Sequence, residues 1–158
     1  MANLEATLLA VLKTTIAGLK TGSVTEFKSV SIHMVAPEFK DVKLTDSPVA
    51  GIVYKDTQEN PLPDLAVGSI MQCNIIIAAR AATRDALVTE LLRLKNLVEN
   101  GLETSVPTDA AGWGTGADKY HRRLEWGEPA FDVNEREPWG LCTLPLEVAF
   151  ILGSRTSH

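Results

Sequence analysis

At 158 residues the chain is long enough for one domain with a sizeable core, and 45% hydrophobic with 22% charged residues is an ordinary soluble globular composition. A net charge of −5 excludes a general electrostatic attraction to nucleic acid or to an anionic membrane. No apolar run is long enough to cross a bilayer.

The first predicted element is an amphipathic helix over Asn3 to Leu19. Asn3 is its cap, and Leu4, Leu8, Val11, Leu12, Ile16 and Leu19 form its apolar stripe. Thr21-Gly22-Ser23 ends it. A strand pattern follows over Glu26 to Ala36, where Val30, Ile32 and Met34 alternate with Ser31, His33 and Val35, and Pro37 closes it. After a polar interval, Val49 to Tyr54 is a short apolar run that predicts another strand. Lys55 to Ala66 holds Pro61, Pro63, Asp56, Glu59 and Asp64, and reads as a projecting acidic loop.

The strongest signals lie side by side in Gly68 to Leu102. From Ile70 to Ala79 one alternate set, Met71, Cys73, Ile75, Ile77 and Ala79, is wholly apolar, while the other includes Gln72 and Asn74. This predicts a strand with one dry and one mixed face. A long helix follows, capped by Thr83, with Asp85 in its first turn. Its predicted stripe is Leu87, Val88, Leu91, Leu92, Leu94 and Val98. Asn100-Gly101 is expected to end it, with Leu102 folding back on Leu97.

Glu103 to Pro138 has several glycines and prolines and no long periodic segment; Lys119 to Trp126 is its one candidate strand. A final strand spans Leu141 to Leu152, with Cys142, Leu144, Leu146, Val148, Phe150 and Leu152 on its dry face. Pro145 lacks a ladder N–H and predicts an edge or a bulge there. The fold class is α/β (α+β): a single mixed or antiparallel sheet of about four to five strands, packed by two helices. Residues 1–153 form one domain with a long loop over 103–138, and 154–158 are a frayed tail.

No catalytic constellation stands out. His33, His121, Cys73 and Cys142 fall in no HExxH, CxxC or GxSxG pattern, so no metal or cofactor is expected. A small enzyme would need a site assembled from His33, His121 and a cysteine or carboxylate, but both cysteines lie on dry strand faces and read as core thiols. With no disulfide framework and no signal-peptide pattern, synthesis and assembly in a reducing cytoplasm are expected. Gly112 to Gly116 neither follows a strand nor opens a helix, so it is no phosphate loop. Exposed arginine and tryptophan are enriched at protein contacts, which makes Trp113, Arg122, Arg123, Trp126 and Trp139 the interface candidates. Each tryptophan reads equally well as a small core under the long loop. An adaptor binding a partner through this loop is the weaker alternative.

The chain from about Leu4 to Leu152 resembles the tail terminator proteins of tailed bacteriophages, a group close to tail-completion and neck proteins. The likeness lies in order: an N-terminal helix, the strand Pro48-Val49-Ala50-Gly51-Ile52, the acidic proline-containing connection Lys55 to Ala66, a strand and long helix over Gln72 to Glu99, a variable loop, and a last strand over Leu141 to Leu152. The resemblance implies a non-enzymatic virion protein. It would form a hexameric ring with copies of itself, cap the tail tube protein, and meet the head–tail connector or neck protein. Asp56, Glu59 and Asp64 would line a channel through which DNA passes without specific binding.

Overall fold

A computed structural model of the chain describes residues 4–35, 48–61, 66–105, 121–133 and 139–154. Its elements are α1 (Leu4–Ala17), β1 (Lys20–Thr21), β2 (Val24–Thr25), β3 (Ser29–His33), β4 (Val49–Pro61), β5 (Ala66–Arg80), α2 (Arg84–Ser105), β6 (His121–Trp126), β7 (Ala130–Val133) and β8 (Trp139–Ser154). Among the described residues the main sheet has six strands in the order β3-β4-β5-β8-β6, with β7 also paired to β8. Only β3–β4 is parallel, so the sheet is mixed as expected. β1 and β2 form a separate antiparallel ribbon.

The two dry strand faces predicted from alternation meet each other. β5 and β8 are antiparallel neighbours, and their register pairs Met71 with Val148, Cys73 with Leu146, Ile75 with Leu144 and Ile77 with Cys142. All eight side chains are buried in one cluster. Each large member contributes roughly 1.5–3 kcal/mol by leaving water, so this pair of strands is the keel of the fold.

α2 crosses that face. Thr83 caps it as expected: the Ala86 amide donates to Thr83 Oγ1 at 3.1 Å. Two expectations fail. The stripe is narrower than predicted, because Val88 and Leu92 are exposed while Leu87, Leu91, Leu94, Val98 and Leu102 are buried. The helix also runs through Asn100-Gly101 to Ser105. A Cβ on Gly101 would collide with the Leu19 Cδ2 methyl, so this glycine admits a neighbour instead of ending the helix. Leu102 continues the buried stripe four residues after Val98 and is not folded back.

α1 packs beside α2 through Leu8, Leu12 and Ile16, all fully buried. Arg93 on α2 ties the chain entering β3 to this layer. Its two terminal nitrogens donate to both oxygens of Glu26 at 3.1 and 2.8 Å, and its Nε donates to Glu90 at 3.0 Å.

β4 corrects the loop expected over Lys55 to Ala66. The strand continues to Pro61, which pairs with Val67, so most of the stretch is a hairpin arm. Lys55 is the one unpaired residue, a bulge between Tyr54 opposite Cys73 and Asp56 opposite Gln72. Lys, Asp, Gln, Glu and Asn are poor strand formers, but β5 is held on its other edge by β8 and offers a fixed ladder. The expected strand near Lys119 to Trp126 is β6, and a second short strand, β7, follows it.

Pro145 is not at an edge. β8 has neighbours on both sides, and Pro145 faces the break between β6 and β7. Its carbonyl accepts from the Gly127 amide at 2.9 Å, so its missing N–H points to that same break. The ladder to β5 therefore loses nothing.

Candidate functional surface on the helix-free face

A period of two gives the sheet two faces, and among the described residues the helices cover only one. On the other face the register across β4, β5, β8 and β6 aligns Asp56, Gln72, Glu147 and Glu125 in one row. Asp56 and Glu125 are exposed; Gln72 and Glu147 are half-buried. The Gln72 amide donates to Glu147 Oε1 at 3.2 Å. Glu147 and Glu125 stand directly opposite each other across β8 and β6. Nearer the other end, the same face carries a small buried cluster of Val49, Val53, Ile76 and Ala78, with Leu141 against it.

The acidic residues predicted to line a channel do not all fall in this row. Asp56 belongs to it, Glu59 lies farther along β4 opposite Ser69, and Asp64 lies outside the described residues. Glu147 and Glu125 went unflagged. The alternation of β8 placed Glu147 off the dry face, but nothing local says which strand lies beside it.

The interface candidates separate. Trp126 is half-buried against the core, and its indole N–H donates to Glu103 Oε1 on α2 at 3.1 Å, so it clamps β6 to the helix. Arg122 and Arg123 lie on β6, opposite Phe150 and Ala149, and Trp139 opens β8 opposite Arg80. Trp113 lies outside the described residues.

A cysteine–histidine site is not assembled. Cys73 and Cys142 are buried on the helix-covered face, four residues apart in register, about 13 Å along the strands. Burial pushes the Cys73 thiol up to about 12 and the Cys142 thiol up to about 11, the reverse of nucleophile activation. His33 pairs with Val53 on the opposite face and hydrogen-bonds Ser31 Oγ at 2.6 Å. His121 lies on β6 opposite Ile151. Among the described residues no three His, Cys, Asp or Glu side chains gather closely enough to hold a metal ion, and no helix is long and apolar enough to cross a membrane.

No family model matches the chain, and no curated protein matches it. Among solved structures, a chain in the "Virion of native gene transfer agent (GTA) particle" is similar, with a TM-score of 0.45 and 10% sequence identity over 94% of this chain and 91% of that one. A likeness at that identity and TM-score decides nothing about function.

Proposed function

We propose that the chain is a structural subunit of a phage-like virion, a tail terminator that forms a hexameric ring on the end of the tail tube and joins the tail to the head connector. The observation that carries this reading is the row of Asp56, Gln72, Glu147 and Glu125 across four strands, on the sheet face opposite the two helices. A ring around a DNA channel needs a wall that phosphates do not stick to, and carboxylates supply one by repulsion. The order of elements agrees with the resemblance: Pro48 to Ile52 leads into β4, Lys55 to Pro61 pairs back onto β5, β5 feeds the long α2, and β8 is the last strand among the described residues. Among the described residues the sheet also ends in two unlike edges, β3 and β6–β7, which suits a head-to-tail ring.

In this reading the partners are copies of the chain itself, the tail tube protein and the connector, while DNA passes without being bound specifically. The protein resides at the neck of the virion and does no chemistry. Arg122, Arg123 and Trp139 serve contacts between proteins; Trp126 is occupied within the subunit.

The test is localisation. Particles are purified from cells that express the gene with its neighbouring reading frames, and gold-labelled antibody to this chain is imaged by negative stain. Label at the head end of the tail is expected. A chain that never travels with particles would sink the reading.

A further inference from the structure

We draw no further inference here: the strongest candidate, the exposed apolar surface of Val88 and Leu92 on α2 and of Phe131 on β7, carries nothing, because nothing in the structure shows what covers it.

Discussion

Gly101 and Leu19 interlock: the leucine's Cδ2 methyl occupies the space that a Cβ on residue 101 would fill. A glycine inside a helix costs about 1 kcal/mol against alanine, so the close approach of α1's exit to α2 offsets an intrinsic loss. The obstacle is the end of a half-buried, rotatable leucine, so Gly101→Ala is expected to be nearly neutral, the propensity gain of about 1 kcal/mol being offset by displacing that methyl. With Leu19→Ala in place the same substitution should stabilise by up to about 1 kcal/mol. Urea unfolding of the four chains in this cycle reads that difference.

The Arg93 guanidinium, chiefly through its hydrogen bonds, holds the Glu26 carboxyl below the usual carboxylate range, with a smaller contribution from Thr21. A lowered folded-state value contributes stability that is present above the unfolded value and lost as pH falls through the folded one. The acid limb of the stability curve below about pH 4.3 therefore contains this pair. Glu26→Gln should cost about 1 kcal/mol at neutral pH, discounted because Arg93 is 41% exposed, and should flatten that limb. Denaturation midpoints from pH 7 down to 3 test it; an unchanged limb would rule the pair out as a contributor.

Cys73 and Cys142 should be silent toward a thiol reagent in the native chain at pH 8, since both are buried and both titrate well above that pH. Reaction with a disulfide reagent is expected only as the chain unfolds, its rate rising with urea in step with global unfolding. Rapid labelling of either thiol without denaturant would contradict the burial described above.

Gly127 lies where a Cβ would stand 2.8 Å from Pro145 Cβ and 3.2 Å from its Cγ, and a proline ring has little freedom to yield. Gly127→Ala should cost roughly 1–3 kcal/mol and fall on the edge, loosening β6 and β7 while β5 stays protected. Amide hydrogen exchange resolves this by strand. Equal loss of protection in β5 would mean that the corner supports the whole sheet.

Removing the acceptor under the tryptophan clamp tests the link from β6 to the helix layer. Glu103→Gln keeps the size and an amide oxygen and should change stability little, whereas Glu103→Ala should cost about 1 kcal/mol. A matching cost on Trp126→Phe, and none added when the two are combined, would show that the hydrogen bond is the shared cause.

Periodicity made the dry sides of β5 and of β8 as far as Val148 legible, with most of the α2 stripe apart from Val88 and Leu92, and it showed why Cys73 is packing and not chemistry. Alternation and helical spacing are local properties, printed wherever one face of an element leaves water. What they omit is the neighbour. Only the folded sheet carries β4 through a polar stretch to Pro61, because a ladder from β5 outweighs weak strand propensity. Only the helix pair shows that Gly101 is a packing site and not a terminus. Glu125, Glu147 and Gln72 are scattered in sequence, Gln72 and Glu147 by 75 residues, and strand register alone sets them side by side on the face without helices. Local alternation settles which side of each strand is dry; register between strands far apart in the chain settles which side chains stand together on the face opposite the helices.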